Sequence, residues 1–225
     1  MELVNAHLTR QMDIIPIDVL GEDITIIGAG AIGSFTALAL AKMGFENLTV
    51  FDYDKIEIEN MNCQFYPYSA IGMQKVMALK MMISQFANAE INVVDKPYEA
   101  GAFKGIVISA VDSMKVRKLI WDNHKNLSPA TKLFIDPRMG SEFGVTYAMN
   151  PMDPKDVSSY EKTLYTDENA EQERCTAKAT MYTACMLSGF VAKIVKDFLT
   201  KSVAYPRITQ WNIGQNAFVS FPHKE

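Results

Sequence analysis

Three glycines, Gly28, Gly30 and Gly33, follow an apolar run, Ile24 to Ile27, in the spacing G-x-G-x-x-G. That order suits a phosphate. Gly28 permits a tight turn, Gly30 lets an anion approach the backbone, and Gly33 lets a following helix lie close to the strand. The helix then aims its free N–H groups and the positive end of its dipole at the anion. Asp52 ends a second apolar run, Leu48 to Phe51, about 20 residues beyond the glycines, where a carboxylate meets a ribose hydroxyl. Next comes a polar stretch holding Asp54, Asn60, Asn62 and Gln64, side chains suited to fixing loops and contacting bases or carboxylates. Lys75 falls in the first turn of a later helical pattern, a position mildly unfavourable to an exposed cation by ~0.3–1 kcal/mol and easier to understand beside a polyphosphate. Its bland alternative is a solvated lysine. Asp112, at the end of another apolar run, suits a magnesium contact or a helix N-cap. Cys175 stands where a helix N-terminus would lower a thiol's pKa.

The elements that must hold these groups read as alternating strands and helices. Strands are expected at 24–27, 48–51, 91–94, 106–111 and 132–135, with a hairpin-like return at 143–148 and a closing strand or hairpin at 207–218. A helix over 31–43, stopped by Gly44, points Ile32, Phe35, Leu38 and Ala39 inward. Another, over 71–87, has Val76, Leu79, Met82, Ile83 and Phe86 at core spacing, and a third covers 113–124. From Asn150 to Arg174 the chain is acidic and has little apolar periodicity, so a long loop, functional or disordered, is expected. A last helix over 177–199 carries Met181, Cys185, Val191, Val195, Phe198 and Leu199 on one side, which makes Cys185 buried and inert. The expected divisions are an N-terminal arm (1–22), a nucleotide-binding core (23–149), a crossover loop (150–176) and a C-terminal helix and strand (177–225), in a single domain of α/β class.

Composition narrows the setting. A net charge of −4 argues against a general nucleic-acid surface. Three cysteines make neither a disulfide framework nor a four-cysteine zinc site, and no apolar run reaches membrane-spanning length. The first residues lack the layout of a signal peptide, so a reducing cytoplasm is the expected location. The fourteen methionines read as core filling. The three histidines, His7, His124 and His223, fall outside every motif.

Taken in order, the landmarks resemble the ThiF/MoeB/HesA family, which includes ubiquitin-activating enzymes and the adenylyltransferases of sulfur-carrier proteins. Arg10-Gln11 resembles its arginine–glutamine pair, Gly28 to Ser34 its nucleotide loop, and Asp52-x-Asp54 its D-x-D. Asn60-Met-Asn-Cys-Gln64 resembles its N-L-x-R-Q, Gly72-Met-Gln-Lys75 its G-x-x-K, and Asp112 to Arg117 its D-x-x-x-x-R. Cys175-Thr176 falls where many members carry a reactive cysteine.

The resemblance implies a Rossmann-like, mostly parallel sheet with helices on both faces and an antiparallel C-terminal extension. It implies ATP and Mg2+, attack of a protein's C-terminal carboxylate on the α-phosphate, and release of pyrophosphate. The partner would be a ubiquitin-like or sulfur-carrier protein. Gly28, Gly30, Ile32 and Gly33 would cradle the nucleotide, Asp52 and Asp54 would flank the ribose, and Asn60 and Gln64 would line the phosphate pocket. Lys75 would meet the phosphates, Asp112 would hold magnesium, and Arg10 would reach a neighbouring subunit's ATP in a homodimer. Cys175 would accept the acyl group, unless it is structural. Two departures stand out. Cys63 occupies the position of a family arginine, with Arg138 a possible substitute, and the zinc-binding C-x-x-C pairs of many members are missing, so no zinc is expected. An NAD-dependent oxidoreductase and a non-catalytic nucleotide-binding module are the alternatives.

Overall fold

The structure, a computed structural model, describes residues 6–125, 130–165 and 179–222. Cys175 and His223 lie outside them. One sheet of eight strands runs through the described residues in the order β3-β2-β1-β4-β5-β6-β7-β8. The middle strand of its parallel part is β1 (Ile24–Ile27), buried at all four positions, as a strand covered on both faces by helices must be. It pairs in parallel with β2 (Leu48–Phe51) on one side and β4 (Gly105–Ser109) on the other, and β3 (Asn92–Val94) extends the β2 side.

Three helices make the parallel crossovers: α1 (Ala31–Lys42), α2 (Lys75–Ala87) and α3 (Met114–His124). Successive strands step outward from β1 to β2 and β3, then the chain returns to place β4 on the other flank. That reversal opens a crevice at the carboxyl ends of β1 and β4, the place where doubly wound sheets bind ligands.

The strand β5 (Thr131–Gly140) begins parallel to β4 and then outruns it, where a strand ending at Ile135 was expected. The extra length pairs antiparallel with β6 (Phe143–Met149) through a turn at Ser141, whose φ is +53°. The strands β7 (Pro206–Asn212) and β8 (Ala217–Pro222) complete the antiparallel extension. The long helix α5 (Met181–Thr200) lies over it closely enough that a Cβ on Gly144 would fall 2.7 Å from Leu187. It also braces α1, the Ser188 hydroxyl donating to the Ile32 carbonyl at 2.9 Å.

Several local expectations need correction. In α1 the buried residues include Thr36, Ala37, Leu40 and Ala41, whereas Phe35, Leu38 and Ala39 are only partly covered. This helix packs against α2 and α5 as well as the sheet, so no single stripe marks its inside. The helix α2 starts at Lys75 because Gly72 takes a positive φ of +87° and ends the preceding turn. Phe86 is half exposed, its ring held 5.6 Å from Phe65. Met181 is likewise exposed and Cys185 is only partly buried. The acidic segment folds into a helix, α4 (Pro154–Glu161), before its undescribed part begins. Asp153 caps α4, accepting from the Lys155 amide at 2.8 Å, with Pro154 in the first turn where its missing N–H matters least.

Candidate active site

The glycine turn is built by close approach. A Cβ on Gly28, at φ +101°, would lie 2.4 Å from the Ala110 carbonyl oxygen, and one on Gly33 would lie 1.9 Å from that of Gly28. Gly30 differs: its Cβ direction is open space, with nothing within 4 Å. Two glycines close the loop and the third leaves the approach to the α1 N-terminus clear. The Gly28 amide donates to Phe51 O and the Ala110 amide to Ile27 O, each at 2.8 Å, which ties the turn to its neighbours. Below it the buried Tyr66 hydroxyl donates to the Ala29 carbonyl at 2.7 Å, a support the sequence did not suggest.

Asp52 stands beside this turn. Its carboxylate accepts from the Ala29 amide at 2.6 Å and the Asp54 amide at 2.8 Å, one on each oxygen. Burial raises its pKa, and the two amides oppose that rise. Each oxygen keeps a further lone pair for a hydroxyl donor. Lys75, almost buried, places its ammonium 2.9 Å from the half-exposed Asp54 carboxylate.

These groups line one crevice of about 1180 Å³, larger than the ~300–1,000 Å³ of ordinary small-ligand sites. Gly28, Gly30, Ile32, Asp52, Asp54, Gln64, Lys75 and Asp112 all reach its wall. Gly33 supports the turn from behind. Asn60 is spent locally: its Oδ1 accepts from the Glu57 amide at 3.0 Å in a reciprocal helix cap, and it is absent from the wall. Arg10 is exposed and also absent from its own chain's crevice, while Gln11 beside it pins the arm to the end of α1 through Met43 O at 2.6 Å. Ser113, whose hydroxyl accepts from the Val116 amide, is the N-cap of α3, which leaves Asp112 exposed at the crevice mouth.

Cys63 lines the crevice with its thiol pKa raised by burial, Lys75 opposing. A neutral thiol supplies no phosphate charge there. Arg138 stands on the other flank, on β5, three strand spacings or about 14 Å from β2. It joins a network that sequence reading missed. Asp136, fully buried, accepts from Arg117 Nε on one oxygen at 2.8 Å and from Arg138 Nε on the other at 2.8 Å. The Tyr160 hydroxyl donates to it at 2.7 Å. Burial alone would raise the Asp136 pKa, but the two guanidiniums and Tyr160 hold it below the carboxylate range. The run Asp136-Pro-Arg138 was visible in the sequence, whereas Tyr160 lay in a segment expected to be loop.

Nucleotide fit can be judged from the chain itself. The open side of Gly30, the α1 N-terminus and Lys75 suit phosphates. The buried Oε1 of Gln64 has no hydrogen-bond donor among the described residues, and so has room for one from a ligand. No group of three or more His, Cys, Asp or Glu gathers among those residues, but magnesium carried by phosphates needs only one or two carboxylates, and Asp112 offers one.

A doubly wound sheet with a glycine-turn crevice at its switch point defines a nucleotide-binding α/β protein. The sequence profile of the ThiF family matches residues 18–224, and the chain belongs to that family. Among curated relatives it is 31% identical to ubiquitin-like modifier-activating enzyme 5 of Drosophila simulans, over 43% of this chain and 29% of that protein. The Aedes aegypti counterpart is 29% identical over 44% and 30%. These matches span less than a third of the relatives' length. Among solved structures, PaaA superposes with a TM-score of 0.77 at 15% identity, covering 99% of this chain and 74% of PaaA. Escherichia coli MccB, solved with ATP, gives 0.71 at 13%, covering 98% and 72%. At such identities the likeness is one of fold.

Proposed function

We propose that this chain is an ATP-dependent adenylyltransferase that activates the C-terminal carboxylate of a ubiquitin-like protein, sulfur-carrier protein or peptide. A carboxylate oxygen attacks the α-phosphorus, the new acyl O–P bond forms, and the bond to pyrophosphate breaks with its electron pair leaving on pyrophosphate. The observation that carries this reading is convergence: family landmarks from β1, β2, α2 and β4 line a single crevice.

Asp52 accepts from the ribose, and the glycine turn with the α1 N-terminus cradles the phosphates. Lys75 exchanges its Asp54 partner for a phosphate oxygen as charge builds in the transition state. Gln64 completes the pocket, and Asp112 would hold magnesium, which would supply positive charge beside the phosphates. Arg10, exposed on its own chain, serves the crevice of a dimer partner. Cys175, outside the described residues, then attacks the acyl carbonyl as thiolate, expelling AMP and forming a thioester. The family relationship to ubiquitin-like modifier-activating enzyme 5, and the ATP and MccA bound to MccB in its solved forms, support a protein or peptide end as the second substrate.

ATP–pyrophosphate exchange with candidate carrier proteins tests this. Exchange should require a free carrier C-terminus and vanish in Asp112→Asn, with circular dichroism unchanged. Cys175→Ala should keep exchange and lose any covalent carrier adduct. Exchange that ignores the carrier's C-terminus would refute the assignment.

A further inference from the structure

Beyond Ile135, β5 carries Asp136, Arg138 and Gly140 on one face, and their cross-strand partners on β6 are Tyr147, Val145 and Phe143. The opposite face, through Gly144 and Leu187, belongs to α5. Arg138, Tyr147, Val145 and Phe143 therefore form one wall of the crevice, with Phe143 exposed at its outer end.

Charge on this wall is unbalanced. Arg117 and Arg138 share the single carboxylate of Asp136, and no other carboxylate among the described residues pairs with either. Their side chains are only 6% and 14% exposed, so one unit of positive charge is held nearly out of water without a counter-ion. Leaving it so is unfavourable, and an arriving anion would relieve it. Arg138 is fixed for that task. Beyond its Nε bond, Nη1 donates to Thr163 O at 2.9 Å and Nη2 to Thr163 Oγ1 at 3.0 Å, and its carbon centre lies 4.7 Å over the Tyr147 ring. One N–H on each terminal nitrogen remains to donate to an incoming anion.

Lys75 and the glycine turn serve phosphates on the β2 side, so a cation on the β5 side answers a second anion. The geometry points to Arg138 as the seat of the incoming chain's terminal carboxylate, with Val145 and Phe143 as the bed for apolar side chains just before it. This rests on the adenylyltransferase reading and gives it a substrate preference: an extended chain end with apolar residues next to a free α-carboxylate. Held by one oxygen, such a carboxylate is kept from being repelled by the phosphates while its other oxygen attacks.

The test uses three synthetic peptides and the full chain, titrated by nuclear magnetic resonance with a non-hydrolysable ATP analogue present. They are acetyl-Ala-Ala-Leu-Phe-Gly as free acid, the same peptide as C-terminal amide, and acetyl-Ala-Ala-Ser-Ser-Gly as free acid. The Leu-Phe acid should bind about tenfold or more tighter than its amide, the scale of one charge-assisted contact. Arg138→Gln should reduce that ratio to about one, Arg138→Lys, which keeps a cation beside Asp136, should retain part of it, and Phe143→Ser should narrow the preference over the Ser-Ser acid. No binding of the acid, equal binding of acid and amide, or an acid preference that survives in Arg138→Gln overturns the assignment. Titration with the analogue alone separates the two claims: analogue binding without an acid preference sinks only this inference, and no analogue binding sinks the adenylyltransferase reading.

Discussion

The Lys75 ammonium lies 2.9 Å from the Asp54 carboxylate, the lysine nearly buried and the aspartate half in solvent. Because one partner is well hydrated, the pair contributes little to stability, under ~1 kcal/mol. Its worth is positional: it holds a cation at the crevice wall, where the phosphates of the proposed nucleotide would meet it. Lys75→Met keeps the apolar stem packed. Thermal unfolding should move by no more than a few degrees, while titration calorimetry should show Mg-ATP affinity falling tenfold or more, about 1.5–3 kcal/mol for a lost charge-assisted bond.

The glycines separate by task, which makes them separable by experiment. Gly33→Ala drives a methyl into the Gly28 carbonyl and must push α1 off β1, a strain of about 1–3 kcal/mol or more that should lower Tm by roughly 2–12 °C. Gly30→Ala meets open space and should shift stability by under about 1 kcal/mol, yet weaken nucleotide binding by filling the approach to the phosphates. Differential scanning calorimetry with and without Mg-ATP reads both effects.

Asp136 supports an acid-limb prediction. Its folded pKa lies below the ordinary value of 3.8, so its contribution is complete above that value and is lost as pH falls through the folded pKa. Asp136→Asn leaves two buried guanidiniums without a counter-ion, a loss of about 3–5 kcal/mol. Thermal melts from pH 2 to 7 should show a Tm near neutrality lower by about 10 °C and a flatter acid limb than the wild type.

His124 gives a second, separate pH window. Its ring is buried among Tyr98, Phe103 and Phe134, and Nε2 accepts from the Phe103 amide at 3.1 Å. Burial lowers its pKa from 6.5, the contact with Ile120 O opposing. The unfolded chain thus binds the extra proton first, and stability falls as pH drops below about 6.5. His124→Gln should be less stable at pH 8 and lose the slope below pH 6.5 in denaturant melts.

Much of this site was legible because backbone chemistry dictates it. Gly28 and Gly33 occupy positions where a Cβ would meet backbone, and with Asp52 their spacing marks the first crossover. Side chains that work through distant partners were harder to read. Asn60 carries a family position, but its side-chain oxygen accepts from the Glu57 amide, a local bond that no spacing reveals. Tyr160 reaches Asp136 from a helix whose signal, Asp153-Pro154, is obscured by the acidic residues around it, which read as a loop. Arg138 was visible as a cation, but its bonds to Asp136 and Thr163 depend on partners that no spacing reveals.

The central claim is that this crevice takes a triphosphate with its magnesium. Titration calorimetry of the full chain with Mg-ATP, and separately with NAD, addresses it most directly. The account predicts saturable Mg-ATP binding that weakens in Lys75→Met and no comparable heat from NAD; tight NAD binding with none for Mg-ATP would contradict it.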